Sequence, residues 1–220
     1  MKELNLITNL HNKTKRNYLE RMVNEKIHCM NISKKYDSRY WDSDRKFGYG
    51  GYKYIPGRWK PVAKKLIKKF NLTNKSKILD IGCGKAHLLY EIKLILPECK
   101  IYGFDISNYA IKNAPKLIKK NLYIYDASKK LNYKDREFDL VISVGCLHNL
   151  EINQLKKSIK ETQRVGKNQY ILVESYRNNK ELFNLQCWAL TCESFFSRKE
   201  WIWLFKEYKY SGYYEFIYFK

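Results

Sequence analysis

From residue 77 onward, short and almost continuous apolar runs alternate with longer segments of helical periodicity. Runs of this length and apolarity are typical of strands buried on both faces, which occur mainly in parallel sheets. Right-handed crossovers through the intervening helices place such a sheet between two helical layers. The pattern therefore predicts an α/β fold with a doubly wound, mostly parallel sheet. The five runs are KILDIG (77–82), KIYGFDI (100–106), LYIYDA (122–127), FDLVISVG (138–145) and QYILVES (169–175).

Helical periodicity fills most of the gaps between these runs. It predicts helices near 86–95, 108–119 and 153–164, whereas the third and fourth runs are joined by a loop alone,. After the fifth run the sequence continues with an apolar stretch (181–196), a Trp-rich helix (197–210) and one last predicted strand (213–219).

The first 60 residues show no strand alternation. Apolar residues at three-and-four spacing predict an amphipathic helix over 14–36, and Pro61 suits the first turn of another helix over 61–72,. Between them, the tract KFGYGGYKYIPGRW (46–59) combines glycines and prolines with aromatic rings. The sequence thus predicts an N-terminal helical arm with a Gly/aromatic lid over 1–60, which covers a core domain over 61–220.

Composition limits the classes of protein to consider. Hydrophobic residues make up 45% of the chain, which excludes a disordered protein, and no apolar run is long enough for a membrane span or a secretory signal,. We therefore expect a cytoplasmic protein. The six cysteines show no zinc-ligand spacing, so reduced thiols and no metal site are predicted,. The net charge of +21 favours anionic partners, although abundant Lys is also expected from an AT-rich genome,.

Residues suited to nucleotide binding follow the ends of the first two runs. Gly82 and Gly84 permit a tight turn and close approach of a ligand to the backbone, at the start of a helix,. The dinucleotide fingerprint has its third glycine where this chain has His87, which argues against an NAD pyrophosphate,. Asp105, about 20 residues beyond the turn, is placed to accept hydrogen bonds from ribose hydroxyls,.

The next two runs also end in candidate ligand-binding residues. Asp126 and Ala127 end the third run, where the carboxylate would accept a hydrogen bond from an adenine amino group, and the fourth run ends in SVGCLHNL. Doubly wound sheets bind their ligands at the carboxyl ends of the strands. Four such features at successive strand ends indicate a site for an adenosine-containing cofactor.

The segments ILDIGCGKAHLL, GFDIS, YDAS and FDLVISVGCLHNL resemble the successive motifs of class I S-adenosylmethionine-dependent methyltransferases, over about residues 61–217. The resemblance implies a Rossmann-like core with S-adenosylmethionine as cofactor and S-adenosylhomocysteine as product. This chain has Ala86 at the third glycine of the DxGxGxG pattern, and one C-terminal strand where the family normally has two. The implied cofactor-binding residues are Asp80, Gly82, Cys83, Gly84, Asp105, Ile106, Asp126 and Ala127.

The resemblance also implies individual roles. Residues 82–84 would pass under the methionine part, and Asp80 would support its amino group directly or through water. Asp105 would hold the ribose, and Asp126 with Ala127 would meet the adenine. A turn cap without a ligand is the alternative for each aspartate.

The sequence constrains the identity of the methyl acceptor less than it constrains the cofactor. The fourth run carries neither the [DNS]PP[FYW] motif of amino-methylating DNA enzymes nor a Pro-Cys nucleophile. Both absences argue against a nucleic-acid substrate, and SVGCLHNL instead resembles small-molecule methyltransferases. Methyl transfer chiefly requires alignment and desolvation of the nucleophile, and an alcohol acceptor also requires a base.

Three residues are candidates for acceptor chemistry. His148 is a candidate general base, with orientation of a loop as the alternative. Glu174 is a second candidate, as a base or an acceptor clamp, unless it caps the following turn. Arg177 would bind an acceptor phosphate.

The N-terminal tract supplies further candidates. The segments YWDSDRKFGYGGYKYIPGRWKPVA, VESYRN and LFNLQCWALTCESFF look like a subgroup of bacterial methyltransferases associated with capsule and surface-polysaccharide modification. This resemblance implies a sugar, phosphate or phosphoramidate acceptor. Arg45 and Arg58 would bind an anionic acceptor through their forked donors. Aromatic residues would exclude water and stabilise the sulfonium by cation–π contact, unless they only fix the arm to the core; they are Tyr49, Tyr52, Tyr54 and Trp59.

The stretch CWALTCESFF (187–196) would be a buried helix or would line the acceptor pocket through Trp188 and Phe195. The sequence thus predicts an O-methyltransferase for a small anionic acceptor in capsule or surface-polysaccharide biosynthesis, with a nucleic-acid partner disfavoured. The alternatives are a nucleic-acid or protein methyltransferase that docks through its basic surface, an NAD enzyme, and a binding module without turnover.

Overall fold

Seven parallel strands form one sheet in the computed structural model, which describes residues 1–12, 14–50 and 52–220. The order across the sheet is β1-β7-β6-β5-β2-β3-β4, and all its strand pairs are parallel. The doubly wound parallel sheet is therefore confirmed. The strands are β1 (Lys2–Glu3), β2 (Lys77–Ile81), β3 (Lys100–Asp105), β4 (Leu122–Ile124), β5 (Leu140–Val144), β6 (Gln169–Glu174) and β7 (Tyr213–Ile217).

Helices occupy the segments between most strands, whereas β4 and β5 are joined by a loop. The helix predicted over 14–36 is wrong as a single element, because Glu25 adopts a left-handed conformation (φ 47°) between α2 and α3. The helix predicted over 108–119 is also divided, just before Pro115,. No helix in the described ranges has the length and apolarity needed to cross a membrane. The helices are α1 (Thr8–His11), α2 (Tyr18–Val23), α3 (Lys26–Ser33), α4 (Ser38–Asp42), α5 (Lys60–Phe70), α6 (His87–Ile95), α7 (Asn108–Lys112), α8 (Lys116–Lys119), α9 (Ile152–Val165), α10 (Asn179–Trp188) and α11 (Arg198–Glu207).

Each central strand contributes side chains to two apolar layers, which explains the nearly continuous apolar runs. In β2, Ile78 packs into one layer and Leu79 into the other, and both are fully buried. The amphipathic helices α5 and α6 cover the first layer, for example with Leu66, whereas α9 and α11 cover the second, for example with Trp201. Burial on both faces fixes the register of these strands, because a shift by one residue would exchange the faces.

The strand order reverses direction next to β2. From β2 the chain adds β3 and β4 on one side, and then β5, β6 and β7 on the other. In doubly wound sheets a crevice for the ligand forms at this point, at the carboxyl ends of the strands. The fold therefore places its binding crevice where the sequence motifs end.

The edge beyond β6 differs from the arrangement usual in the resembled family. The single C-terminal strand β7 pairs in parallel with β6, as in Tyr170 with Tyr213, after a crossover through α11. The edge is completed by β1, in which Lys2 pairs with Tyr213. The first residues of the predicted arm thus belong to the core sheet, although no strand was predicted before residue 60. The domain boundary at residue 60 stays a prediction.

A buried carboxylate on β7 holds the N-terminal segment in place. Glu215 is 1% exposed and accepts hydrogen bonds from the backbone N–H groups of Leu6 (2.6 Å), Ile7 (3.0 Å) and Thr8 (2.6 Å). The hydroxyls of Thr8 and Tyr170 donate to it as well, both at 2.6 Å. Five donors converge on one carboxylate, which satisfies N–H groups that α1 itself leaves free.

Substitution of Glu215 by Gln is expected to lower the free energy of unfolding by about 2–3 kcal/mol, because an amide NH₂ would replace an acceptor surrounded by donors. Urea denaturation measures this change. The matched control is Glu3→Gln, which removes an exposed partner of Arg198 and should change stability by less than about 1 kcal/mol,. Equal losses in the two variants would contradict the anchoring role of Glu215.

Candidate functional site

A cavity of about 540 Å³ lies at the carboxyl ends of the strands, where the N-terminal arm covers them. Residues at or just after the ends of β2, β3 and β4 line one half. Residues at or after the ends of β5, β6 and β7 line the other. We call these the cofactor half and the acceptor half, after the predicted ligands. The Gly/aromatic tract also contributes to the cavity wall, although Gly51 of that tract lies outside the described residues.

The turn after β2 needs glycine for reasons of conformation and of space. Gly82 has φ +73°, and a Cβ atom there would lie 2.2 Å from the Sγ atom of Cys146. Gly84 has φ +55°, and a Cβ atom there would lie 2.8 Å from the indole of Trp41. Both positions therefore exclude a side chain, and the backbone of the turn forms part of the cavity wall.

Asp105 is held rigidly at the end of β3. Its Oδ2 accepts a hydrogen bond from the N–H of Gly84 and its Oδ1 from the N–H of Ser107, both at 2.8 Å. Burial raises the pKa of this carboxyl, and the backbone donors partly oppose that shift. Each carboxylate oxygen keeps further acceptor capacity, which is the chemistry needed to bind two ribose hydroxyls.

Asp80 lacks a full set of partners. Its side chain is 4% exposed, and its Oδ1 has no hydrogen-bond partner in the described part of the chain. Burial, with a further contribution from Asp105, raises the pKa of Asp80 to about 8. An unpaired buried carboxylate is unfavourable, and a ligand ammonium group would satisfy it. The site therefore fits the amino group of a methionine moiety.

The eight predicted cofactor-binding residues all line the cavity. Asp126 accepts a hydrogen bond from the N–H of Ser128 at 2.8 Å, Ala127 is half-buried beside it, and Ile106 is 57% exposed. Cys83 lies in the turn between the two glycines. The structure thus brings these residues together, while their contacts with a cofactor stay a prediction.

His148 and Glu174 face each other in the acceptor half. The Nε2 atom of His148 lies 3.5 Å from the Oε2 atom of Glu174, and the Nδ1 atom accepts a hydrogen bond from the Glu174 N–H at 3.3 Å. Burial lowers the pKa of His148 to about 3, so the ring is neutral at neutral pH. Because Nδ1 accepts, the proton is on Nε2, and this ring has no free lone pair for a base. The geometry favours the alternative role, in which His148 orients its surroundings.

Glu174 has the properties of a base. Its side chain keeps 12% exposure, and its Oε2 has no hydrogen-bond partner within the described ranges. Burial raises the pKa of Glu174 to about 7, although Arg16 opposes the shift. A carboxyl group with this pKa can accept a proton near neutrality.

The N-terminal arm is bonded to the loops of the core. The Nε1 atom of Trp41 donates to the Oγ atom of Ser107 at 2.8 Å, and Lys85 forms an ion pair of 2.6 Å with Asp42. The ring of Trp41 lies 4.6 Å from that of Tyr52. The sequence does not indicate a role for Trp41, although its ring lines the cavity.

Half of the predicted acceptor-binding residues line the cavity, namely Tyr52, Arg58 and Trp59. The predicted aromatic residues Tyr49 and Trp188 line it as well.

The other three predicted acceptor residues do not line the cavity. The Tyr54 hydroxyl donates to the buried Glu91 of α6 at 2.9 Å. Arg177 pairs with Glu181 and covers the ring of Tyr218 at 4.1 Å. Their predicted roles as acceptor ligands are therefore corrected.

Arg45 needs the same correction, because it donates to the Lys15 carbonyl at 3.2 Å and stacks on Trp188. Phe195, an alternative lining residue, instead packs against the apolar core. These two positions were predicted from aromatic and cationic character alone. That character does not distinguish a ligand from a packing contact.

Arg16 and His11 are two further cavity residues that the sequence does not indicate. Arg16 donates to the Thr14 carbonyl at 3.0 Å and lies 3.1 Å from the Nδ1 atom of His11. Burial and the Arg16 charge lower the pKa of His11 to about 3, so this ring is neutral and its Nδ1 accepts from Arg16. Both residues line the acceptor half. Their local sequence, LHNKTKR, has no pattern that separates them from ordinary surface residues.

Comparison with known proteins agrees with the fold and identifies the family. A family described as "Methyltransferase domain" matches residues 72–213. The mouse protein arginine-hydroxylase NDUFAF5, mitochondrial, is 28% identical over 109 residues, which are 50% of this chain and 31% of the relative. Demethylmenaquinone methyltransferase of Thermotoga maritima is 24% identical over 148 residues, 67% of this chain and 61% of the relative. The chain thus matches about a third to three fifths of the length of these relatives.

Two solved structures share the fold. The YcgJ protein of Bacillus subtilis superposes with a TM-score of 0.53 at 18% identity and covers 66% of each chain. A chain from the complex of the Haloferax volcanii Trm112 methyltransferase activator with a methyltransferase gives a TM-score of 0.56 at 15% identity. That superposition covers 89% of this chain and 77% of the other. At these identities the likeness concerns the fold alone.

Proposed function

Because this chain belongs to the methyltransferase domain family, we propose that it transfers a methyl group from S-adenosylmethionine to an oxygen atom of a small anionic acceptor. One observation carries the proposal. A single cavity joins the four strand ends suited to an adenosyl group with a buried carboxyl, Glu174, whose pKa is about 7. A base is needed for an alcohol acceptor, because the hydroxyl proton must leave.

Each half of the cavity has its own task in this proposal. When bound, S-adenosylmethionine supplies a methyl carbon activated by the sulfonium. Asp105 binds the ribose hydroxyls, and Asp80 binds the methionine ammonium group. The aromatic residues Trp41, Tyr52 and Trp59 exclude water and favour the sulfonium charge through their ring faces.

Glu174 acts at the other end of the cavity. It would accept the proton of the acceptor hydroxyl, and the bound cofactor would supply the methyl group to that oxygen. The Nδ1 atom of His148 accepts a hydrogen bond from the Glu174 N–H and so helps to hold Glu174 in position. The carboxyl thus starts as the anion and ends protonated, which balances the proton released by the hydroxyl.

The acceptor class rests on two further arguments. Arg58 lines the cavity, and no described residue accepts a hydrogen bond from its side chain, so its donors are available to an anion,. The N-terminal tract resembles a bacterial subgroup associated with capsule and surface polysaccharides. We therefore infer that the acceptor is a sugar hydroxyl, or a phosphate or phosphoramidate oxygen, of a surface-glycan precursor.

Calorimetric titration tests the cofactor assignment directly. S-adenosylhomocysteine is expected to bind with one site per chain and to raise the melting temperature, whereas NAD is expected to do neither. Turnover is then measured on phosphorylated and unphosphorylated sugars. Binding of NAD without binding of S-adenosylhomocysteine would overturn the proposal. Turnover only on an uncharged, unphosphorylated sugar would overturn the inference that the acceptor is anionic.

A further inference from the structure

Three guanidinium groups surround the indole ring of Trp188, which lines the cavity together with one of them, Arg16. The Cζ atoms of Arg16, Arg21 and Arg45 lie 5.4, 4.5 and 4.9 Å from the ring centre of Trp188. A single aromatic face normally attracts one cation, since like charges repel one another at this distance. The three arginines and Trp188 are called the arginine cluster below.

No carboxylate among the described residues forms an ion pair with any arginine of the cluster. Arg21 is 9% exposed, and its donors go to the backbone carbonyls of Trp188 (3.3 Å), Arg45 (2.7 Å) and Gly48 (2.8 Å). Neutral carbonyls satisfy the hydrogen bonds but leave the charge uncompensated. Buried or half-buried charges of one sign ordinarily have an opposite charge beside them.

Neighbouring groups do not compensate the positive charge either. Lys26 donates to the Cys187 carbonyl at 2.7 Å, and burial together with Arg21 lowers its pKa to about 8. Burial lowers the pKa of Arg16 as well, and the carboxylate that opposes this shift is Glu174. Glu174 is the base of the proposed reaction and does not pair with Arg16 directly.

The cluster has one member with an unpaired donor in the cavity wall. Arg16 is half-buried, lines the cavity, and has an Nε atom without a hydrogen-bond partner in the described segments. It packs on Phe219, just beyond β7, at the opposite end of the strand row from Asp126. The position belongs to the acceptor half, next to Glu174 and away from the adenosyl site.

We propose that the arginine cluster is the subsite for a dianionic phosphate group of the methyl acceptor, with Arg16 as the residue that contacts it. Arg21 and Arg45 contact the Trp188 ring outside the cavity lining and contribute charge, and His11 positions the Arg16 guanidinium. A forked guanidinium matches the oxygens of a phosphate, and the uncompensated charge favours a dianion over a monoanion. The inference rests on the proposed function, because it assigns the substrate of that same cavity.

Binding of inorganic phosphate tests the subsite without any turnover. Phosphate is titrated into the full chain saturated with S-adenosylhomocysteine, at fixed ionic strength, and acetate serves as the monoanion. Saturable phosphate binding is expected, at least about 10-fold tighter than that of acetate. Arg16→Met should weaken phosphate binding about 10- to 100-fold, as for a lost charge-assisted hydrogen bond, and leave the affinity for S-adenosylhomocysteine unchanged.

The control is Arg198→Met, which removes an exposed arginine paired with Glu3, far from the cavity lining. It should bind phosphate like the unmodified chain. If Arg16→Met does not fold, the exposed Arg45→Gln is expected to weaken phosphate binding a few-fold through lost charge.

Three results would overturn the inference: no phosphate binding to the unmodified chain, equal losses in the control, or a loss of S-adenosylhomocysteine affinity in Arg16→Met. The last would assign Arg16 to the carboxylate of the cofactor instead. Failure of the proposed function is distinguishable, because the unmodified chain would then not bind S-adenosylhomocysteine at all.

Discussion

The Asp105→Ala variant is expected to bind S-adenosylhomocysteine at least about 100-fold more weakly than the unmodified chain. Two hydrogen bonds from ribose hydroxyls to a carboxylate are lost, and each contributes about 1.5 kcal/mol or more. The N–H groups of Gly84 and Ser107 also lose their acceptor, so the turn beneath the methionine part loosens. Isothermal titration calorimetry measures the dissociation constant.

Two companion variants separate binding from folding. Asp105→Asn keeps one acceptor oxygen for the turn, and an intermediate affinity is expected. Asp135→Ala removes a carboxylate whose side chain is 76% exposed beside Arg164, and its affinity should be unchanged. The assignment of Asp105 to the ribose hydroxyls would be refuted if Asp105→Ala kept its melting temperature and bound S-adenosylhomocysteine within about 3-fold of the unmodified chain.

The Glu174→Gln variant is expected to lose about 10²- to 10⁴-fold in kcat while its affinity for S-adenosylhomocysteine is retained. Gln preserves the shape of the side chain but cannot accept a proton. Since the pKa of Glu174 is about 7, the rate of the unmodified chain should fall as the pH drops below 7. The residual rate of the variant should lack this dependence, and a pH–rate profile on the acceptor found by the turnover screen measures both.

Although Glu174→Gln is expected to lower kcat, it is expected to increase the free energy of unfolding above pH 7. The pKa of Glu174 is higher in the folded chain than the 4.5 of an ordinary Glu, so the folded state binds the proton more tightly. Its contribution to stability is present below pH 4.5 and is lost as the pH rises through about 7,. At pH 8, Glu174→Gln should therefore unfold at a higher urea concentration than the unmodified chain. Its free energy of unfolding should be greater by up to about 3 kcal/mol.

The stability control is Glu193→Gln, an exposed partner of Lys34, which should show no such gain. A kcat within 3-fold of the unmodified chain, or an unchanged acid limb of the pH profile, would exclude Glu174 as the base.

The central sheet was predictable because burial on both faces leaves a strong signal. The run 138–145 contains β5, and the observed strand, Leu140–Val144, lies inside it. The helix predicted over 153–164 is observed as Ile152–Val165, where an amphipathic face meets the apolar layer. The eight predicted cofactor-binding residues are implied by the resemblance to methyltransferase motifs, and they meet in one cavity because strand ends in a parallel sheet converge at one edge,.

The acceptor half was less predictable because long-range contacts build it. β1 has two residues and no alternation to detect, and its position depends on Glu215, more than 200 residues away. Arg16 enters the cavity because of this anchoring, and nothing in its immediate sequence requires it. Arg45 and Arg177 were predicted to bind the acceptor because arginine is cationic. In the structure Arg45 lies over the ring of Trp188, and Arg177 forms an ion pair with Glu181.

The pairing of Lys2 with Tyr213 has a consequence for the order in which the site is assembled during synthesis. The turn and the aspartates of the cofactor half lie between residues 80 and 127, so they emerge from the ribosome as one continuous stretch. The segment that carries His11 and Arg16 is translated before that stretch, yet its hydrogen bonds to Glu215 cannot form until β7 has been translated, and closing so long a loop costs entropy,. The nascent chain therefore completes the residues of the cofactor half before those of the acceptor half, and the arm, although it is made before both, takes its final position only after β7.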